Sequence, residues 1–311
     1  MAGLLDAVIR SAARPAAQAA RPGIKVFHSS PYDFDRFDLS KLGAGQGAQM
    51  YGRGLYFAEN PKVSGQGGEY WKEFLQRFGG PERSAASRLQ EAGFDRDKAI
   101  ALAQRDIAQG REALPSRIGT SMEDLIRKAT ASQEEQIKLL QSGKPVGPRT
   151  YEVNINARPD EFLNWNKPLA QQPVGGAVWD TAKKWLYGNP ETLTGMEVYK
   201  GMEAIEGPKV ASNVLRDAGV PGVQYRDAAS RNLEEKLAKA REDYAYWPNP
   251  GNHFTLRKLE QMTPTNNYVV NDDTLLDIMK KYSVPGMLGM TGAGAGAQQA
   301  PWFPPQQQQV Q

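Results

Sequence analysis

The 311-residue sequence contains no cysteine, which excludes disulfides, thiolate nucleophiles and cysteine-ligated metals. It has only two histidines, His28 and His253, too few for a histidine-based zinc site. No apolar run approaches the ~20 residues of a membrane-spanning helix, so no membrane span is expected. The composition therefore favours functions that need no metal, no thiol and no passage through a bilayer.

The chain also lacks a large excess of either positive or negative charge. The chain carries 38 Lys and Arg against 35 Asp and Glu, for a formal net charge of +3. Basic residues are interleaved with acidic ones, which argues against a protein that binds nucleic acid by electrostatics alone. The length is enough for one large domain or two small ones.

Composition divides the chain into three parts. Residues 1–22 are rich in Ala and Arg and are expected to form a helical arm and linker. Asp6 and Pro15 argue against a targeting peptide in this segment. Residues 23–282 carry the patterns of a folded domain. Residues 283–311 are rich in Gly, Pro and Gln, which predicts a disordered tail.

An inserted helical lobe is expected at about residues 80–147. Its segments carry amphipathic stripes, and Asp95 and Ser121 are plausible N-caps. Glu134 and Glu135 are adjacent rather than alternate, and they fall on a solvated helix face. We therefore interpret them as surface charges and not as a catalytic pair.

Strands and turns follow from the remaining pattern. Alternating or short apolar runs predict strands at residues 24–30, 53–60, 151–156, 222–227 and 266–273. The other expectations are a covering loop at 163–178, a short helix at 179–187, a helix ending at Gly219, an open loop at 248–265 and a closing helix at 274–282.

Residues 24–60 carry the clearest functional signal. A strand with His28 and a second apolar run with Tyr56 bracket the glycine-rich loop GAGQG, an arrangement that suggests a ligand cleft. An imidazole can hydrogen-bond a hydroxyl, and a phenol can stack on a flat ring. Glycines let the backbone approach a ligand closely, and Gly54 is assigned to binding on this basis.

At these residues the sequence resembles a known family. His28-Ser29-Ser30, followed by the block GRGLYF at residues 52–57, resembles the ADP-ribosyltransferases of the diphtheria-toxin and poly(ADP-ribose) polymerase class. The closest likeness is to the ADP-ribosyltransferase-like domain of phage and prophage polyvalent proteins. The segments YEVNIN, ASNVLRDAGVPGVQYRD and NNYVVNDD match in order, so the resemblance spans most of residues 24–282. It implies an α+β fold with a split antiparallel sheet and NAD bound in the cleft between its halves.

The resemblance also implies residue roles. His28 would hydrogen-bond a ribose hydroxyl of NAD, and the backbone at Ser29, where the family has glycine, would grip the nicotinamide carboxamide. Tyr56 would pack on the nicotinamide ring, and Tyr70 matches a second stacking tyrosine. Tyr56 and Tyr70 have an alternative interpretation as core aromatics, and His253 is expected to be a solvated loop residue.

The third position of the family's His-Tyr-Glu triad falls on Asn267. An amide carbonyl can accept a ribose hydroxyl, but it lacks the charge that stabilises a cationic transition state. Loss of such a contribution typically costs ~10²–10³-fold in rate. Asp227 and Asp272 are the alternative sources of a carboxylate, and Asn267 can also be read as a residue of the turn before the strand.

The resemblance therefore implies mono-ADP-ribosyl transfer from NAD to a macromolecular acceptor, a protein rather than a nucleic acid, without a metal. The expected location is a bacterial host cytoplasm or a phage particle. One alternative is a catalytically weak or inactive virion or scaffold protein of the same fold. Another is RNA 2′-phosphotransfer, which calls for several basic residues at the cleft, where only Arg53 and Arg231 are evident.

Overall fold

The computed structural model describes residues 23–42 and 49–282. The predicted arm at 1–22, the predicted tail at 283–311 and most of the glycine-rich loop, residues 43–48, lie outside the described residues.

The fold is α+β and is built on one seven-stranded mixed sheet of order β4-β5-β6-β2-β1-β3-β7. The strands are β1 (Ile24–Ser30), β2 (Leu55–Ala58), β3 (Arg149–Ile155), β4 (Leu163–Asn164), β5 (Gly222–Arg226), β6 (Asn266–Val270) and β7 (Leu276–Tyr282). All neighbouring pairs are antiparallel except β4 and β5, which run parallel. The expected antiparallel sheet is therefore mixed at one edge.

The sheet is weakly joined at its centre. β1 pairs with β3 along its whole length, from Ile24 opposite Ile155 to Ser30 opposite Arg149. Its pairing with β2 is restricted to Phe27 opposite Ala58. A four-stranded part, β4-β5-β6-β2, thus meets a three-stranded part, β1-β3-β7, at a short junction.

Helices flank the sheet and form the inserted lobe. They are α1 (Pro61–Ser64), α2 (Glu69–Leu75), α3 (Gly80–Glu91), α4 (Arg96–Ala113), α5 (Ser121–Gln141), α6 (Gly175–Ala182), α7 (Gly195–Glu206), α8 (Pro208–Asp217), α9 (Leu233–Tyr246) and α10 (Pro250–Glu260). None of these helices is both long and apolar enough to cross a membrane.

Two main hydrophobic cores lie on opposite faces of the sheet. On β6, Val269 belongs to the first core, which α6, α7 and α8 cover. The neighbouring Tyr268 and Val270 belong to the second core, together with Val26 and Tyr151. This division follows from the alternation of side chains along a strand.

The predicted lobe is helical and consists of α3, α4 and α5, with its own cluster that includes Leu89, Ala99 and Leu140. Asp95 caps α4 as predicted, because its carboxylate accepts the amide of Lys98 at 3.0 Å. The cap of α5 is Thr120 rather than Ser121.

The prediction of a closing helix at residues 274–282 is wrong. The segment forms strand β7, which pairs with β3 in a register that places Ile278 opposite Val153 and Leu276 opposite Ile155. Leu276 and Ile278 both pack on the second core. Pairing with an exposed strand edge therefore outweighs the helical propensity of this segment.

Two loop predictions also need correction. Residues 250–260 of the expected open loop form α10, which has Pro250 in its first turn and Asn249 as N-cap. Proline at the first helical position is compatible with a helix because its missing N–H would be unpaired there. In the expected covering loop, β4 comes first, and α6 begins at Gly175 rather than at residue 179.

Candidate functional site

A cluster of tyrosines marks the face of the sheet covered by α6, α7 and α8. Tyr56 of β2 and Tyr225 of β5 both pack on the first core. Tyr51 stacks on Tyr225, with ring centroids 3.6 Å apart and planes inclined by 3°. Tyr70 of α2 is half-buried, and its phenol acts electrostatically on both Tyr56 and Tyr225. We call these four residues the tyrosine cluster.

Two hydroxyls of the cluster, those of Tyr56 and Tyr225, are held neutral. Burial raises the pKa of Tyr56, although a hydrogen bond with the backbone of Tyr51 acts in the opposite direction. The Tyr56 hydroxyl donates to the carbonyl of Gly52 at 2.7 Å. Burial also raises the pKa of Tyr225 well above its usual value, and the neighbouring tyrosines add to the shift. Tyr56 and Tyr225 therefore offer aromatic rings and neutral hydroxyls rather than charge.

Asn267 lies beside this cluster. It alternates with Tyr268 along β6 and so shares the face of Val269, the side of the first core. Its side-chain amide acts to lower the pKa of the Tyr225 phenol, against the larger effect of burial. Asn267 is 5% exposed, and its side-chain oxygen Oδ1 makes no hydrogen bond within the described residues. A buried acceptor without a donor is uncommon and costs stability, so it marks a position where a ligand hydroxyl would be favourable.

His28 lies on the other face. Its ring is 5.2 Å from Phe37 and 5.6 Å from Phe57, both members of the second core. Nδ1 lies 2.9 Å from the carbonyl oxygen of Tyr56, so Nδ1 carries the hydrogen and donates it. Burial lowers the pKa of His28 to about 4, although this hydrogen bond acts to raise it. The imidazole is thus neutral at pH 7 and tied to the backbone of Tyr56.

The Ser29 backbone is engaged within the protein. Its amide donates to the Ser64 hydroxyl at 3.0 Å, and its own hydroxyl donates to the Ser64 carbonyl at 2.9 Å. Ser64 ends the short helix α1, so this pair of bonds fixes α1 against β1. A ligand carboxamide at Ser29 would have to displace the first bond.

Gly54 is required by packing. A Cβ atom there would lie 2.6 Å from the carbonyl oxygen of Val270 and 2.7 Å from Cγ1 of Val269. The loop before it is fixed by Tyr199, whose hydroxyl accepts the Arg53 amide at 2.8 Å, and by Ser212, whose hydroxyl donates to the Arg53 carbonyl at 2.8 Å. The absence of a side chain at Gly54 therefore allows the backbone to approach strand β6.

The structure brings together Tyr56, Tyr70 and Asn267 from the predicted site residues. It adds Tyr51 and Tyr225, which sequence reasoning missed. The signal for Tyr225 was the alternation in GVQYRD, which puts it on the face of Val223. Tyr51 gave no such signal, since only the fold brings its loop over β5.

The alternative acidic residues have structural roles. Asp227 is 1% exposed and accepts hydrogen bonds from the Ser230 amide and the Thr265 hydroxyl. Burial acts to raise the pKa of Asp227, but these hydrogen bonds lower it overall. Asp272 caps the 3₁₀ turn Asp273–Leu275 rather than a helix. His253 lies exposed on α10 and not in a loop.

No group of three or more His, Asp or Glu side chains within residues 23–42 and 49–282 is arranged to hold a metal ion. Comparison of the chain with protein-family models, with curated proteins and with solved structures finds no match.

Proposed function

We propose that this protein transfers a single ADP-ribose unit from NAD to a macromolecular acceptor, with release of nicotinamide. The split-sheet ADP-ribosyltransferase fold, a protein acceptor and action in a bacterial host or a phage particle belong to the same proposal. The observation that carries it is the buried Oδ1 of Asn267 beside the tyrosine cluster, which has no hydrogen-bond partner in the described part of the chain. An acceptor atom and aromatic rings are what a ribosyl-nicotinamide group needs.

Each residue takes a role that fits its surroundings. The rings of Tyr56 and Tyr70 stack on or against the nicotinamide, and Asn267 Oδ1 accepts a hydroxyl of the attached ribose. His28 is a positioning residue in this proposal. Its Nδ1–H holds the Tyr56 carbonyl at 2.9 Å, at the junction where β1 and β2 are otherwise weakly paired.

The reaction is dissociative. The bond between ribose C1′ and the nicotinamide nitrogen breaks, and its electron pair leaves with the nitrogen, so that nicotinamide departs neutral. The positive charge stays on the ribosyl group until the acceptor attacks C1′ and loses its proton to water. Asn267 stabilises this cation only through its dipole, which predicts slow turnover.

A second candidate is an NAD-binding protein of the same fold with no turnover. The neutral side chain of Asn267 favours it. A binding protein needs no developing charge to be stabilised, so an uncharged residue at this position would not impair it.

Nicotinamide release from NAD by the purified full chain tests the proposal. We expect slow release by the wild type and a gain of ~10-fold or more for Asn267→Glu, since a restored carboxylate need lower the barrier by only about 1.4 kcal/mol for that factor. Asn267→Asp should gain less, because its carboxylate is one methylene shorter.

Asn271 supplies the matched control. It follows β6 directly, is 7% exposed and has an Oδ1 that makes no hydrogen bond within the described residues, but its amide nitrogen donates to the Ser212 carbonyl. Asn271→Glu should give no gain in release. Binding of NAD without release by the wild type and both Asn267 variants would establish the second candidate instead. Absence of NAD binding by calorimetry would refute both.

A further inference from the structure

A cavity opens at the edge of the sheet where β4 ends. It has a volume of about 540 Å³ and is lined by Asn and Gln side chains, by three basic residues and by the ring of Phe162. We call it the amide groove. Its volume falls in the range of small-molecule sites, roughly 300–1,000 Å³.

Most of the amide groove lies across the sheet from the tyrosine cluster. Gln224 and Arg226 line it, whereas Val223 and Tyr225, which alternate with them on β5, belong to the first core. Phe162 belongs to the second core. Arg231 borders both sites, because it lines the groove and lies near the ring of Tyr51.

The groove carries an excess of positive charge. Lys167, Arg226 and Arg231 line it, and within the described residues no carboxylate forms an ion pair with any of them. The one acidic lining residue, Asp160, already pairs with Arg158 at 3.0 Å. The lining therefore favours an anionic ligand, because the charges it presents are not neutralised from within.

Arg231 strengthens this inference. Its Nε and Nη2 atoms are shielded from solvent and make no hydrogen bond within the described part of the chain. Its guanidinium carbon lies 5.9 Å from the ring centre of Tyr51. A guanidinium with unpaired donors suits a phosphate, because its N–H groups can donate to two oxygens of the phosphate at once and the two groups carry opposite charge.

The amides specify more than an anion. Asn164, Asn166, Asn232 and Asn266 line the groove along with Gln224. The side chains of Asn164 and Asn266 each accept a hydrogen bond within the protein, and that of Gln224 donates one to Pro159. The amides of Asn166 and Asn232 therefore carry the argument. A side-chain amide presents a donor and an acceptor side by side, which complements the hydrogen-bonding edge of a nucleobase, whereas a carboxylate ligand would use only the donor.

We propose that the amide groove binds a nucleoside phosphate, with the three cations at its phosphate and the amides at its base. The nucleotide comes from one of two sources, a free mononucleotide or a single-stranded nucleic acid. This proposal does not rest on the proposed transferase function, and of the three cations Arg231 alone borders the tyrosine cluster.

The test is calorimetric titration of the full chain with uridine 5′-monophosphate and with a short oligouridylate. Uridine probes are used because an adenine nucleotide would also enter the proposed NAD site. Lys167→Gln with Arg226→Gln is the informative double variant, since both side chains are exposed. Lys128→Gln with Lys138→Gln is the matched control, since both residues are exposed on α5 and the charge change is the same.

We expect the Lys167/Arg226 variant to lose ~10-fold or more in affinity for both probes, and the Lys128/Lys138 variant to bind as the wild type does. With the oligouridylate, the slope of log affinity against log salt should fall by about 1.4, because each single-strand phosphate contributes about 0.7. Much tighter binding of the oligouridylate identifies a nucleic acid strand as the source, and equal binding identifies a free nucleotide.

Three results would overturn the proposal. They are equal affinity of the Lys167/Arg226 variant and the wild type, an equal loss in the Lys128/Lys138 variant, and competition by citrate or inorganic phosphate as strong as that by uridine 5′-monophosphate. Nicotinamide release should be unchanged in the Lys167/Arg226 variant, so failure of this proposal is distinguishable from failure of the proposed function.

Discussion

His28 lies in an apolar environment that keeps its imidazole neutral. The ring is 2% exposed and surrounded by aromatic rings, and its Nδ1–H donates to the Tyr56 carbonyl. The resemblance implies a ribose contact for this residue. The structure shows a hydrogen bond from His28 that joins β1 to β2, and the ribose contact stays a prediction.

This burial predicts a specific dependence of stability on pH. The pKa of His28 falls from 6.5 to about 4 on folding, so the unfolded chain binds a proton that the folded chain excludes. The free energy of unfolding therefore has its full value above pH 6.5. It falls by on the order of 3 kcal/mol as the pH is lowered towards 4 and His28 takes up its proton on unfolding.

Chemical denaturation of the wild type and of His28→Asn between pH 4 and 7 measures this effect. Asparagine keeps a donor near the position of Nδ1 but does not titrate, so the variant should lose less stability than the wild type on acidification. His253→Gln removes the exposed histidine and should follow the wild type. Parallel curves for wild type and His28→Asn would contradict the assignment.

At the scale of elements, the contact between β2 and β6 determines whether Tyr56 and Asn267 face the same space. The two strands pair from Leu55 opposite Val270 to Ala58 opposite Asn267. Gly54, just before β2, lies against the β6 backbone. The pairing therefore depends on the absence of a side chain at this glycine.

Gly54→Ala is expected to destabilise the protein by about 1–3 kcal/mol, because the new methyl group would overlap the Val270 carbonyl and force the strands apart. Gly176→Ala is the control. It adds the same methyl group within α6, where no atom lies within 4 Å of the new Cβ, and should be neutral or slightly stabilising. Urea denaturation measures both, and equal effects would show that the β2–β6 contact tolerates a side chain.

At the scale of the whole molecule, the helical lobe has its own small core. Leu89, Ala99 and Leu140 pack together in it, and a smaller cluster of Trp71, Leu75 and Ala86 connects α3 to α2. The sheet cores contain none of these residues. The lobe is therefore expected to unfold locally without loss of the sheet.

Leu89→Ala tests this expectation. Leu89 is 2% exposed, and its truncation should cost about 2–5 kcal/mol within the lobe. Hydrogen exchange should then accelerate in α3, α4 and α5 and stay unchanged in β1, β2 and β6. Val153→Ala removes side-chain atoms from the second core. In this variant hydrogen exchange should accelerate in β1, β2 and β6 and stay unchanged in α3, α4 and α5. Uniform acceleration throughout the chain in Leu89→Ala would mean that lobe and sheet form one cooperative unit.

The sequence by itself determined those features that depend on local pattern. Alternation identified β1, β3, β5 and β6, and amphipathic stripes with the Asp95 cap identified the helices of the lobe. The absence of cysteine excluded disulfides outright. Tyr56 was also accessible from pattern, since it lies on an apolar run beside the glycine-rich loop, whereas Asn267 was implied only by the resemblance.

Only the tertiary structure decided the features that depend on partners distant in sequence. Leu276 and Ile278 fit a helix as well as a strand, and the free edge of β3 made the segment β7. Tyr51 reached Tyr225 because the loop before β2 folds over β5. His28 went to the second core although its strand was predicted correctly, because the environment of a side chain is set by what covers its face of the sheet. Local sequence fixes which residues share a face, but the free energy of burial selects the partner that covers it.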